Sequence, residues 1–320
     1  MNGSAMCPAP IALFAYNRPQ HLTRTVRALQ ANPLARASEL HVFSDGPKQT
    51  GDMRAVEQVR AVARTITGFA HIRVCERAEN LGLATSVIHG VTDLSRAYGR
   101  VIVLEDDLVV APGFLTFMNQ ALDRYEAIPR VMQVSGYMFP VENQKRLGST
   151  FFCRIPTSWG WATWDRAWRC LEADSSKLLR RLSHQADQDA FNVKGAYPYF
   201  EHLTLQAQGK LDVWGVRWYA SMFLSQGLSL YPGQSLVQNI GMDGSGAHCG
   251  LSDVFDVELS EQDVWEFPDR PEESDAAFEA IHSFLLELRR PQKDNALMAW
   301  ASRLNAVLGK VKQAVVSAAR

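Results

Sequence analysis

Through the first 125 residues, short apolar runs alternate with longer stretches in which apolar positions recur every three or four residues. The runs predict strands at 11–16, 40–43, 71–75 and 101–104. The periodic stretches predict helices over 19–30, 52–65, 83–98 and 114–125, with Leu22, Val26 and Leu29 on one face of the first and Val87, Val91 and Leu94 on one face of the third. Strands that alternate with helices at this spacing point to an α/β fold, a mostly parallel sheet with helices on both faces. In such sheets ligands collect at the carboxyl ends of the strands. The polar residues that end these strands are Asn17 and Arg18, Asp45, and Glu105, Asp106 and Asp107, so they should gather at one rim.

The later residues read differently. All eight tryptophans follow residue 158, and four of them (159, 161, 164, 168) fall within ten residues. Trp161, Trp164, Trp168 and Leu171 have helical spacing, which fits a core-facing stripe. Gly160 between two indoles instead suggests a backbone that approaches a ligand, so Trp159 and Trp161 are assigned to the ligand and Trp164 and Trp168 to the core. Residues 253–275 carry ten acids against one base and read as an acidic loop. Two helical patterns, about 274–290 and 295–318, close the chain. This gives three segments, 1–130, 131–252 and 253–320, the first two as halves of one domain and the last as the acidic loop and C-terminal helices.

Composition narrows the class. The 320 residues are 47% hydrophobic and 21% charged with a net charge of -1, so no bulk field draws the chain to nucleic acid. The five cysteines are odd in number and show no CxxC, which argues for reduced thiols and against a zinc set. The first residues lack a basic segment followed by an apolar run, and no run approaches the roughly 18 apolar residues of a membrane span. A cytoplasmic location is expected. From residue 289 onward seven bases face one acid. The stripe Trp300, Leu304, Val307, Val311 and Val315 would pack on the catalytic domain or pair with a second chain, or else make at most a weak contact with an anionic membrane surface, at its inner face.

Three adjacent carboxylates at the end of a buried strand repel one another unless a cation or a set of donors neutralises them. A hard divalent ion held by one or two carboxylates plus substrate phosphates fits that need. The dinucleotide fingerprint and the Walker loop are both absent: Gly244-Ser-Gly246-Ala-His-Cys249 lacks the last glycine of G-x-G-x-x-G.

Pro10 to Pro19, Phe43-Ser-Asp45-Gly46, Glu79-Asn80-Leu-Gly82 and Glu105-Asp106-Asp107, in that order, resemble a GT-A glycosyltransferase. More narrowly, they are similar to bacterial sugar transferases related to the mannose-directed N-acetylglucosaminyltransferases. The resemblance covers roughly residues 9–125, and 150–250 more loosely. It implies a GT-A, Rossmann-like sheet and an inverting transfer from a nucleotide-diphosphate sugar, UDP-linked by preference, to a glycan or lipid-linked acceptor in polysaccharide synthesis. Mn2+ or Mg2+ is the implied cofactor.

The resemblance makes Asp107 the metal ligand, puts Asp106 near the ribose or metal waters and Glu105 near the donor sugar, and lets Asp45 accept from the uracil ring. Asn17, Arg18, Asn80, Trp159 and Trp161 join the donor site. His248, in the glycine-rich run from Asn239, adds a donor or a metal contact. The family places a carboxylate beside a tryptophan as the base, and this chain has Gly215 there. Asp212 is the nearest candidate, with Asp165 and Glu201 as alternatives. Two rival readings are a sugar-nucleotide pyrophosphorylase, whose basic glycine-rich loop after the first strand is missing, and a catalytically inactive nucleotide-sugar-binding protein.

Overall fold

A computed structural model describes residues 8–245 and 252–289. The first half alternates as the pattern predicts: β1 (Ile11–Ala15), α1 (Pro19–Gln30), β2 (Glu39–Ser44), α2 (Met53–Arg64), β3 (His71–Glu76), α3 (Leu83–Tyr98) and β4 (Arg100–Glu105). A short strand β5 (Leu108–Val110), α4 (Phe114–Arg124), β6 (Val131–Ser135), β7 (Thr150–Cys153) and β8 (Trp161–Trp164) follow. The helices α5 (Asp165–Trp168), α6 (Ser175–Arg181), α7 (Gln185–Phe191), α8 (Tyr199–Ala207) and α9 (Trp214–Leu224) then lead to β9 (Leu228–Pro232), β10 (Val237–Asn239) and α10 (Asp275–Arg289).

Among the described residues the main sheet has eight strands in the order β3-β2-β1-β4-β8-β6-β9-β7. The strands from β3 to β4 run parallel, while β8 runs antiparallel to both β4 and β6. The central strands read as unbroken apolar runs because both of their faces are buried. Ile11, Leu13, Ile102 and Leu104 point into a core shared with α1, α4 and α10, whereas Ala12, Phe14, Val101 and Val103 point into a second core built with α3, α5 and α9. This is the expected mostly parallel sheet with helices on both faces.

Two expectations change. Trp161 and Trp164 belong to a strand, not a helix, and their rings go to opposite faces: Trp161 joins the α3–α9 core and Trp164 the other. Alternation across a strand is what sends them apart. The acidic segment is not a free loop. Trp265 packs edge-on against Phe117 at 5.2 Å, Tyr125 donates to the Pro268 carbonyl at 2.7 Å, and Glu273 clasps Arg154. Its acids other than Glu273 are exposed, while Glu273, the aromatic residues and the backbone tie it to the core, and it leads into α10. The pattern at 295–318, with its proposed membrane stripe, lies outside the described residues. No helix among the described residues is long and apolar enough to cross a membrane.

Candidate active site

The parallel register sets β1, β2 and β4 side by side, with Ala15 opposite Ser44 and Phe14 opposite Glu105. The residues that follow these strands therefore meet at one rim. Arg18 leaves β1 just before Pro19 opens α1, and its Nη2 reaches Asp107 Oδ2 at 2.5 Å and Asp106 Oδ1 at 3.2 Å. The other oxygen of Asp106 accepts from the Tyr16 backbone N–H at 3.2 Å, and its carbonyl accepts from Thr25 Oγ1 at 2.7 Å. Asp106 and Asp107 are both buried.

Burial dominates the charge balance. It pushes Glu105 up to about 8, with the charges of Asp107 and Asp106 adding to the effect and Arg18 opposing it. Asp106 is pushed up to about 6 by burial, against the pull of Arg18. Burial works against the Arg18 charge, yet Asp106 and Asp107 hold that guanidinium above its ordinary value. Carboxyls whose folded pKa values exceed the ordinary ones near 4 stabilise the fold below about pH 4 and lose that contribution as pH rises through about 6 and 8. In EDTA, the melting temperature of the native chain should therefore fall more steeply between pH 5 and 9 than that of Glu105→Gln. Parallel profiles would remove Glu105 as the source.

Asp45 is also tied to its own backbone. Its Oδ1 accepts from the amides of Gly46 at 3.1 Å and Leu81 at 3.0 Å, and its Oδ2 accepts from Gly82 at 3.0 Å. Asn80 returns a bond to the Gly46 carbonyl at 2.8 Å. Three of roughly four lone-pair directions on the carboxylate thus serve the chain itself. Gly46 is required here, since a Cβ would lie 2.5 Å from the Glu79 carbonyl carbon. Asp45 and Asn80 form a clasp that fixes the loop ahead of α3. Asn17 sits between β1 and α1, beside Arg18.

The tryptophans divide. Trp159 is half-buried, edge-on to Tyr137 at 4.6 Å and to Phe255 at 5.5 Å. Trp161 departs from its ligand assignment. It is fully buried, stacked on Trp214 at 5.0 Å and flanked by Trp168 and Trp218. Gly160 is needed at φ +61° because a Cβ would meet Val237 Cγ2 at 2.7 Å, so its close approach is to the chain and not to a ligand.

The base candidates separate as well. Asp165 is excluded by topology. It follows β8, whose Trp164 pairs with Arg100 at the start of β4, and its amide bonds to the Gly99 carbonyl, so it sits roughly 20 Å from the Glu105 end at about 3.3 Å per residue. There it pairs with Arg169 at 2.5 Å. Glu201 lies on α8, at its first turn. Asp212 lies at the rim, its Oδ2 3.8 Å from where a Cβ on Gly82 would stand and its Oδ1 3.4 Å from Arg217 Nη2. A side chain at Gly215 would meet nothing within 4 Å, so the position where the resemblance implies a carboxylate is open space.

Arg217 escaped the sequence reading, and Gly241, in the glycine-rich run already singled out, takes a place that the sequence did not specify. Arg217 is partly buried, its Nε has no hydrogen-bond partner, and desolvation lowers its pKa. Its position five residues after Asp212, on the first turns of α9, was the available signal. Gly241 lies against the triplet: a Cβ there would be 2.1 Å from Asp107 Oδ2 and 2.8 Å from Arg18 Nη1. β10 brings it there by pairing antiparallel with β5, and the Ile240 amide then donates to the Asp107 carbonyl at 2.8 Å. His21 Nε2 meets Asp243 Oδ2 at 3.1 Å on the same segment. His248 lies outside the described residues.

No group of three or more His, Cys, Asp or Glu among the described residues forms a ready metal cage. What the rim offers is hard oxygen donors, Asp107 and Asp106, in a cradle that only a glycine at 241 leaves open. Such a set fits a divalent ion whose remaining ligands come from substrate phosphates and water.

The sequence model of the family described as Glycosyl transferase family 2 matches residues 11–169, which span β1 to α5 and include the whole acidic rim. The match covers 159 of the 320 residues, the part of the chain that carries β1 to β8. Solved structures similar to the chain include mannosyltransferase PcManGT from Pyrobaculum calidifontis in complex with GDP-Man and Mn2+, at 14% identity over 67% of this chain and 75% of that one, with a TM-score of 0.36. Galactosyltransferase LgtC, in complex with donor and acceptor sugar analogs, is 12% identical over 69% of this chain and 72% of its own, with a TM-score of 0.37. S. aureus TarS is 14% identical, the match covering 37% of this chain and 20% of that one, with a TM-score of 0.26. No curated protein matches the chain.

Proposed function

We propose that the protein is an inverting, metal-dependent glycosyltransferase that moves a sugar from a nucleotide-diphosphate sugar, a uridine nucleotide by preference, to a hydroxyl of a glycan or lipid-linked acceptor. The observation that carries the proposal is the acidic triplet at the end of β4, whose buried Asp106 and Asp107 pair with Arg18, in a segment that matches the Glycosyl transferase family 2 model. A divalent cation held by Asp107 and Asp106 would supply Lewis-acid stabilisation of the charge that grows on the departing diphosphate. Arg18 adds a guanidinium suited to phosphate oxygens. Asp212 takes the proton from the acceptor hydroxyl as that oxygen attacks the anomeric carbon. Trp159 and the Asp45 clasp shape the walls, and the backbone at Gly241 closes the side nearest Asp107.

Asp212→Asn should lower transfer by roughly 100-fold or more with little change in donor affinity, as for a positioned general base. Proton NMR of donor consumption reads the rate and the anomer formed. A nearly normal Asp212→Asn with a dead Glu201→Gln moves the base to α8 and leaves the reaction class standing. A retained anomeric configuration contradicts the inverting reading. The open space at Gly215 favours a second reading, a nucleotide-sugar-binding protein without turnover. Saturable donor binding with no consumption in the presence of any acceptor hydroxyl would support it.

A further inference from the structure

We propose that Arg18 is the built-in counter-ion of the acidic rim: its guanidinium and a divalent cation compete for the same oxygens of Asp107 and Asp106, and a nucleoside diphosphate relieves the competition. The inference deepens the function proposed above and rests on it.

One nitrogen, Arg18 Nη2, spans both carboxylates at 2.5 and 3.2 Å. The carboxylates are held in place from behind. Tyr16 N–H binds the second oxygen of Asp106, Thr25 binds its carbonyl, and Ile240 N–H binds the Asp107 carbonyl. The main chain at Gly241 closes the remaining side, since even a Cβ there would overlap Asp107 Oδ2. A cation seated on these oxygens at the roughly 2.1 Å of a hard divalent ion would meet the guanidinium at a few ångströms, like charge against like. The movable partner is Arg18, which keeps 19% of its side chain exposed and whose hydrogen bonds, among the described residues, go to these two carboxylates.

The consequence is thermodynamic. A cation binding alone must break an ion pair and leave a partly buried guanidinium with only the more exposed Asp243 carboxylate of the Gly241 segment near it, which weakens its apparent affinity. A nucleoside diphosphate offers the displaced guanidinium phosphate oxygens in the geometry it favours. The two ligands are then coupled, and by linkage each raises the affinity of the other by the same factor. Arg18 is the element that carries part of that coupling.

The test is manganese binding by electron paramagnetic resonance and calorimetry, with MnCl2 alone and with UDP. Arg18→Ala should bind manganese alone at least tenfold more tightly than the native chain, and the gain from UDP should shrink by a similar factor. Arg18→Gln, neutral and still able to hydrogen-bond, should behave in the same direction and replaces the alanine variant if that one does not fold. Arg18→Lys, which keeps the charge, should stay close to native. Manganese affinity that is unchanged or weaker in both neutral variants overturns the competition while leaving Mn2+–UDP binding, and the proposed reaction, intact. A native chain that binds neither manganese nor UDP in any combination overturns both.

Discussion

Replacing Asp107 by alanine is expected to reduce glycosyl transfer by roughly a hundred- to a thousandfold while the protein stays folded, the scale seen when a preorganised electrostatic group is removed from a charged transition state. The side chain is buried at the end of β4, pairs with Arg18 at 2.5 Å and sits where only a glycine at 241 leaves room for it. Its removal takes away the best-placed oxygen donor for a cation and leaves Asp106 as the sole carboxylate partner of Arg18 among the described residues. The fold should tolerate the loss because like charges at the rim also decrease: Asp107 is one of the groups that push Glu105 up to about 8. Circular dichroism and a melting curve check the fold, and donor turnover with manganese checks the activity. Full activity in a folded variant would sink the assignment of Asp107 to the metal.

The second large effect is on stability. Asp45→Ala should cost about 3 kcal/mol in urea unfolding, because it strands the backbone amides of Leu81 and Gly82, each worth about 1–3 kcal/mol if left dry and less where water can reach it, while the Gly46 amide keeps its bond to the Glu79 carbonyl at 3.2 Å. Asp45 is only 6% exposed, so water reaches these groups poorly. Asp45→Asn keeps one acceptor oxygen and should fall between the alanine variant and the native chain. A change below about 0.5 kcal/mol for the alanine variant, under the usual worth of even one hydrogen bond, would mean that the clasp is not what holds this loop. Unfolding by denaturant is the measure that separates this role from a direct contact with a nucleobase, which would alter ligand affinity and leave the unliganded chain untouched.

The parallel half of the fold was readable because its signals are local. Strands buried on both faces leave unbroken apolar runs such as Val101–Leu104, and α1 and α3 begin and end where their sequence patterns do. The rim was readable for the same reason: in a parallel sheet, whatever follows the strands must meet. The tryptophan run was misread because spacings of three and four also occur by chance along a strand. Trp161, Trp164 and Trp168 look like one stripe until antiparallel pairing with β4 sends the first two to opposite faces. The same pairing carries Asp165 to the far end of β4, which no local pattern reveals. The partners of Asp45 lie 36 and 37 residues away and those of Arg18 lie 88 and 89 away. Residue types hinted at a role in each case, but only the folded register says whether the carboxylate faces a ligand or its own backbone. Gly241 reached the site through the two-stranded pairing of β10 with β5, two segments too short and too distant to be matched from sequence.

The central claim, that the acidic rim receives a nucleotide-diphosphate sugar through a divalent cation, is tested most directly by thermal shift. The chain is melted with a panel of nucleotide sugars and with the corresponding monophosphates and free sugars, each with manganese and with EDTA. A ligand specific to the folded state raises its stability by an amount set by its concentration over its dissociation constant, about 2.7 kcal/mol at a hundredfold excess. The account predicts a clear upward shift for at least one diphosphate-linked sugar with manganese, little or none in EDTA, none for the free sugar, and loss of the shift in Asp107→Ala. An equal shift in manganese and EDTA, or no shift for any diphosphate-linked sugar, would contradict it.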